Sequence, residues 1–139
     1  MKPTVQRQFE ELRAEFERCW PWIEASLEPS GLKLTDDKLW VTHEKKDVWE
    51  RIVKGRTFFW PGKECVVLTE FHTTPTGIKS HHTWVAGGKL EEIVEMMSEI
   101  ERWGKQQGCH RQTGKGRRGW LRVFDGYEEV GVTKVKTLI

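Results

Sequence analysis

The chain has 139 residues, enough for one domain that buries about two-thirds of the surface exposed by its unfolded chain. Its three cysteines lack paired spacing, so the sequence predicts neither a zinc site nor a disulfide framework. No apolar run approaches the roughly 18 residues of a membrane span. We therefore expect one soluble, intracellular domain over residues 1–139, with no membrane partner, in which residues 1–30 either pack on the domain or reach to another chain.

The formal net charge is only +2, but the charges are unevenly distributed. Residues 102–122 carry seven Lys or Arg and no Asp or Glu, whereas residues 91–101 carry five Glu and no Lys or Arg. A block of one sign suits nucleic acid, a coenzyme phosphate or an acidic protein surface. A solvated surface with a local excess of base is the alternative. The eight tryptophans are expected in the core or at an interface.

The first third of the chain predicts mainly helix. Apolar residues at helical spacing predict one or two helices over residues 4–28, with a break or kink at Pro21 and a new helix opening at Trp22. Residues 32–41 predict a short strand. The apolar positions of residues 48–53 predict a second helix, which Gly55 ends.

The middle of the chain predicts an antiparallel meander. Three runs rich in β-branched and aromatic residues, 57–60, 65–71 and 78–86, are separated by turn residues at 61–63 and 73–77. Alternation along the third run places His82 on the face of Ile78 and Trp84, and His81 on the face of Thr83 and Val85. Adjacent histidines on opposite faces argue against a metal site at this pair.

A tight glycine loop and a long amphipathic helix follow the meander. Gly87 and Gly88 are predicted to end the strand, and residues from Lys89 onward place their apolar side chains at helical spacing. The amides of such a helix N-terminus can bind a phosphate, although a plain strand-to-helix turn is the favoured alternative.

The last part of the chain predicts a return to the sheet. Gly108 is a natural helix end, and residues 109–113 are predicted to form a strand parallel to the 78–86 strand, because the helix is long enough for a crossover. Residues 119–124 predict a short helix capped by Gly126. Alternating valines in residues 127–139 predict a final strand that packs against the sheet.

Several of these segments, in this order, resemble the GCN5-related N-acetyltransferase (GNAT) superfamily. They are WVAGGKLEE at residues 84–92, Gly108-Cys109-His110-Arg111, and GRRGWLRVFDGYEEVGVTKVKTLI at the C-terminus. The sequences of these segments are most similar to those of small proteins of tailed phages and prophages with this fold. The resemblance implies an α+β or α/β three-layer sandwich: a central mixed sheet, with an antiparallel meander and one parallel strand pair, flanked by helices.

The resemblance also implies site residues. In active members, the loop corresponding to Val85, Ala86, Gly87, Gly88 and Lys89 holds the pyrophosphate of acetyl-CoA, and a Glu or His deprotonates the substrate amine through water. Glu70, His72, His81 and His82 are the candidates for that base, with Glu70 and His82 preferred; a hydrogen-bonded strand histidine is the alternative. The leading Arg or Gln of the family's loop is missing, and Arg122 stands where a catalytic tyrosine is common.

These departures favour a catalytically degenerate protein that acts as a binding or structural module, in the virion or during its assembly, with a protein partner. It would then lie in the bacterial cytoplasm or in the virion. One alternative is an acetyl-CoA-dependent N-acetyltransferase. Another is a nucleic-acid-backbone surface, flanked by Trp103 and Trp120, made of Arg111, Lys115, Arg117 and Arg118.

Overall fold

Three helices and four strands make up the part of the chain that the computed structural model describes, residues 3–27, 42–115, 123–131, 136 and 138. The helices are α1 (Pro3–Leu27), α2 (Lys45–Val53) and α3 (Leu90–Gln106). The strands are β1 (Phe58–Pro61), β2 (Cys65–Thr73), β3 (Lys79–Gly88) and β4 (Arg111–Gly114). The predicted strand at 32–41 and most of the predicted helix at 119–124 lie outside the described residues.

The four strands form one mixed sheet in the order β1-β2-β3-β4. The first three strands are antiparallel neighbours, and β3 and β4 are parallel. The predicted α+β class, meander and parallel pair are therefore confirmed. Within the described residues, no helix combines the length and apolar character needed to cross a lipid bilayer.

Helices cover both faces of the sheet. Side chains alternate along β2, so Val66 and Leu68 pack with Phe16 and Ile23 of α1, in a cluster that also includes α2. Their neighbours Cys65 and Val67 point the other way and pack with α3 through the buried side chains of Ile93, Met97 and Ile100. The resulting order is α1 and α2, then the sheet, then α3.

A β-bulge at Trp84 interrupts the alternation of β3. Leu68 pairs with Val85 and Thr69 pairs with Thr83, so Trp84 is one extra residue on β3. Val85 consequently packs in the α1 cluster, as does Trp84. The prediction that Val85 shares a face with Thr83 and His81 was wrong, because strict alternation holds only up to the bulge.

Pro21 does not interrupt α1. The helix runs from Pro3 to Leu27 with the proline inside it, and no new helix opens at Trp22. Cys19 and Ile23, on either side of the proline, are both completely buried. A proline inside a helix costs about 3 kcal/mol. We infer that burial of both halves of α1 on the same sheet offsets this cost.

The predicted glycine loop between β3 and α3 is absent. Gly87 and Gly88 are the last residues of β3 and pair with Val66 and Cys65, and only Lys89 separates the strand from α3. A Cβ atom on Gly87 would overlap the carbonyl oxygen of Trp22 and lie 3.0 Å from its carbonyl carbon. The residue is therefore glycine because α1 lies directly on its backbone.

The long helix α3 and its ending agree with the prediction. Gly108 adopts φ +83°, and the Cys109 N–H donates to the Gly104 carbonyl at 3.0 Å, which closes the helix before β4. The described residues 127–131 contain no strand, and Val130 is 96% exposed. The prediction of a packed strand starting at residue 127 was therefore wrong for this segment, and residues 132–135 lie outside the described part.

Replacing Gly87 with alanine should lower the free energy of unfolding by about 1–3 kcal/mol, because the new methyl group overlaps the backbone of α1. Gly114→Ala in β4 is the matched control, since its Cβ would meet Thr83 no closer than 3.4 Å. Urea unfolding of both variants measures the difference. Equal stability of the two variants would show that α1 does not lie against Gly87.

Candidate functional site

Six side chains on β2, β3 and β4 form a polar surface on the sheet face opposite α3. One row across the three strands is His72, Ser80 and Arg111, and the next row is Glu70, His82 and Thr113. The two-residue spacing within each strand puts its pair on one face, and the strand register aligns the pairs. We call these six residues the polar grid.

Hydrogen bonds connect the polar grid across the parallel strand pair. Arg111 Nε donates to Ser80 Oγ at 2.6 Å, and His82 Nδ1 lies 2.8 Å from Thr113 Oγ1. Ser80 is 3% exposed, whereas Arg111 is exposed. The buried hydroxyl of Ser80 thus lies beneath the solvent-facing guanidinium of Arg111 in the grid.

Glu70 is ionised and held from two sides. Its carboxylate lies 2.8 Å from Arg51 Nη2 and 2.7 Å from His72 Nε2, and its side chain is 16% exposed. Burial raises the pKa of Glu70, but the hydrogen bonds from His72 and Arg51 outweigh burial and hold the pKa below its usual range. Because a carboxylate only accepts, His72 Nε2 carries a proton in this pair. Glu70 is therefore a structural anion more than a free general base.

His82 is the group in the grid best suited to accept a proton. Its ring stacks on that of His72 with centroids 4.7 Å apart and planes at 23°. Burial lowers the pKa of His82, the charges of His72 and Lys115 lower it further, and Glu70 opposes them. The neutral imidazole is favoured at neutral pH, and no described residue is hydrogen-bonded to its Nε2 atom.

Arg51 joins α2 to the polar grid. Besides Glu70, its guanidinium contacts Thr57 Oγ1 at 3.2 Å and lies 5.5 Å from the ring centroid of Trp84. The ring of His43 meets the same indole edge-on at 4.8 Å. The bulge residue Trp84 therefore lies beside the grid under two side chains from the α2 region.

The predicted pyrophosphate residues do not form a phosphate-binding loop. Val85 is buried, and the Ser26 hydroxyl bonds both the carbonyl and the amide of Ala86. The Lys89 N–H donates to the Glu64 carbonyl at 2.9 Å. The first turn of α3 carries Glu91 and Glu92, whose charge opposes an anion there. Segment 85–89 therefore does not fit the coenzyme pyrophosphate.

Glu92 also serves the turn beside this segment. Its carboxylate accepts the backbone N–H groups of Lys63 and Glu64 at 3.2 and 2.8 Å. The pKa of Glu92 lies below its usual range, because of a hydrogen bond from the Cys65 thiol first and of these two backbone hydrogen bonds after it. The acidic side chain thus places a negative charge on the β1–β2 turn, which lies beside the start of α3.

The basic block is divided between the two sides of the sheet. Arg102 and Lys105 lie on α3 and are exposed, whereas Arg111 bonds Ser80 on the opposite face. Lys115 follows β4, close enough to His82 to affect its pKa. Arg117 and Arg118 lie outside the described residues. The described members of the block therefore do not form one patch.

His81 faces away from the polar grid and is completely buried. Its Nε2 lies 2.6 Å from Thr69 Oγ1, and its ring centroid is 5.4 Å from that of Trp103. Its Nδ1 is, among the described residues, the one buried side-chain nitrogen or oxygen without a hydrogen-bond partner. Burial lowers the pKa of His81. This residue belongs to the aromatic core under α3.

Tyr127 and the cysteines are likewise remote from the grid. The Tyr127 hydroxyl donates to Glu101 of α3 at 2.6 Å, and burial together with that carboxylate raises its pKa. All three cysteines are free, and burial raises the pKa of Cys65 to about 12. Within residues 3–27, 42–115 and 123–131, no group of three or more His, Cys, Asp or Glu could hold a metal ion.

The polar grid contains both preferred catalytic candidates, Glu70 and His82, which are direct cross-strand neighbours. Arg51, Ser80 and Thr113 were not predicted from the sequence. The spacings 70/72, 80/82 and 111/113 place each pair on one face and were a usable signal. The inter-strand register that brings the three pairs together could not be predicted from these spacings.

Comparison with known proteins gives no further identification: no protein-family model matches the chain, and no curated protein or solved structure is significantly similar to it.

Replacing Glu70 with glutamine should lower the free energy of unfolding by about 1–2 kcal/mol at neutral pH, because Arg51 and His72 lose a charged partner. The pKa of Glu70 is depressed in the folded protein, so its contribution is present above the ordinary value of 4.5 and is lost as the pH falls through the folded value. The difference between wild type and variant should therefore shrink below about pH 4 in urea unfolding.

Glu95→Gln, at an exposed position on α3, is the control and should change stability little at either pH. A Glu70→Gln difference that persisted unchanged into acid would contradict an ionised Glu70.

Proposed function

We propose that this chain is a catalytically degenerate member of the GNAT fold that serves as a binding module, in a tailed phage or prophage, in the virion or during its assembly. One observation carries the proposal. The connection between β3 and α3 is the single residue Lys89, and its amide is hydrogen-bonded to Glu64. The loop that holds coenzyme pyrophosphate in active members of the family is thus reduced here to one residue, whose amide is already hydrogen-bonded.

Local charge supports the same proposal. A helix N-terminus attracts anions through its unpaired amides and the helix dipole. Here Glu91 and Glu92 occupy the first turn, and Glu92 is already bound to two amides of the β1–β2 turn. A pyrophosphate at this place would meet two carboxylates. The polar grid, nearer the start of β3, is the more suitable surface for a partner because Arg111 and His72 are exposed there.

A second candidate function is acetyl transfer to an amine. It is favoured by the pairing of Glu70 with His82 across β2 and β3 and by the neutral state of His82. An imidazole whose Nε2 has no partner among the described residues can take a proton from an amine directly or through one water molecule. The described residues supply this base but no fitting coenzyme site, so we rank this function second.

Calorimetry with acetyl-CoA tests the ranking. We expect binding no tighter than about 1 mM, and no change on Lys89→Glu, because the β3–α3 connection takes no part. Lys89 is exposed and its variant should fold, whereas any side chain at Gly87 collides with α1. Micromolar binding that Lys89→Glu weakens would overturn the proposal and favour the acetyltransferase.

A further inference from the structure

We propose that the polar grid is a binding site for a terminal phosphate group, either inorganic phosphate or a phosphate monoester, held by Arg111, His72 and His82. The proposal specifies the ligand of the binding function proposed above and rests on it. It depends on three observations: unused hydrogen-bond donors, their close spacing, and the local excess of positive charge.

Arg111 supplies the strongest unused donors. Its Nε is occupied by Ser80 Oγ, and this bond fixes the guanidinium on the grid. Its two terminal nitrogens have no hydrogen-bond partner among the described residues, and the side chain is exposed. A planar guanidinium whose two terminal nitrogens have no described partner is suited to bidentate contact with phosphate oxygens.

The two histidines can supply the neighbouring donors in their protonated form, in which both ring nitrogens carry a hydrogen. His72 Nε2 is bound to Glu70 and His82 Nδ1 to Thr113, which leaves one nitrogen on each ring without a described partner. The rings are stacked at 4.7 Å, and the His72 side chain is 54% exposed. Because neighbouring strands lie about 4.8 Å apart, one phosphate can reach side chains on β2, β3 and β4 together.

The charge balance at the grid favours an anion. Glu70 is the carboxylate of the grid, and Arg51 together with His72 already neutralises it. Arg111 then remains uncompensated, and the positive charge of Lys115 acts on His82. An arriving dianion would relieve the repulsion among these cations and would stabilise the protonated form of His82.

The grid fits a compact phosphate better than an extended nucleic-acid backbone. Its six residues span three strands by two rows, and the described members of the basic block do not extend it as one patch, because Arg102 and Lys105 lie on α3. The indole of Trp84, beside the grid, is contacted by both Arg51 and His43. The grid is therefore better suited to a terminal phosphate.

Histidine side-chain NMR signals of the full chain, titrated with sulfate, test the site. Sulfate remains divalent between pH 6 and pH 8, so any dependence of its affinity on pH in that range comes from ionisable groups of the protein. We expect saturable shifts of His72 and His82 by about 10 mM sulfate, for a dissociation constant near 1 mM. His110, whose Nδ1 accepts the Lys79 N–H at 2.9 Å, is the internal control and should not shift.

The affinity for sulfate should rise at least about threefold between pH 8 and pH 6, because His82 gains charge as the pH falls and a bound dianion favours its protonated form. The other ionisable groups around His82 are His72, Glu70, Arg51, Arg111 and Lys115. Absence of any shift in His72 and His82 at saturating sulfate would overturn the proposal.

Matched variants separate the site from general charge. Arg111→Gln should weaken sulfate binding roughly tenfold through loss of a charge-assisted contact, and should fold because Arg111 is exposed. Lys105→Gln removes one positive charge from the same basic block on α3 and should change affinity less than about twofold. Equal weakening by both variants would overturn the site in favour of diffuse attraction.

A final comparison distinguishes binding of a terminal phosphate from binding of the nucleic-acid backbone. An oligonucleotide with a 5′-phosphate should compete with sulfate, and the same oligonucleotide without it should not. Equal competition would overturn the terminal-phosphate site in favour of the nucleic-acid backbone. If sulfate causes no shift and acetyl-CoA shows no binding that depends on Lys89, the phosphate site is refuted. The proposed binding module then still stands, because the calorimetry agrees with it.

Discussion

The contact between α1 and the end of β3 is the constraint on which the rest of the structure depends. The Trp22 carbonyl lies against Gly87, and Ser26 bonds both backbone groups of Ala86. Arg18 of the same helix donates to the carbonyls of Gly62 and Lys63, which fixes the β1–β2 turn. One helix therefore holds β3 in the sheet up to its last residue and leaves α3 to begin almost at once.

The same contact divides one face of the sheet into two unlike halves. Where α1 and α2 cover it, Val66, Leu68 and Val85 form a dry core. Beyond their cover, the other ends of the same strands carry the polar grid, and Arg51 stands at the boundary with its stem in α2 and its charge on Glu70. The polar grid thus lies on the half of this sheet face that α1 and α2 do not cover.

The sequence was sufficient for elements with strong periodicity and clear end signals. α2 with Gly55, α3 with Gly108, the meander and the parallel pair were all predicted from them. Pro21 and the Gly87–Gly88 pair misled because tertiary packing overrode local preference: burial carried α1 through the proline, and the glycines serve a close approach instead of a loop. The polar grid combined predicted residues with unpredicted ones because inter-strand register is not written in any local spacing.

The extra residue in β3 has a consequence for how this sequence can vary. Because Trp84 shifts the phase of the strand, the residues before it present His82 to solvent while those after it present Val85 to α1. Deleting one residue there would restore an even pleat and turn one half of the strand over, so that either the grid or the core would face the wrong layer. Divergent copies of this domain should therefore tolerate substitutions along β3 far more readily than changes in its length.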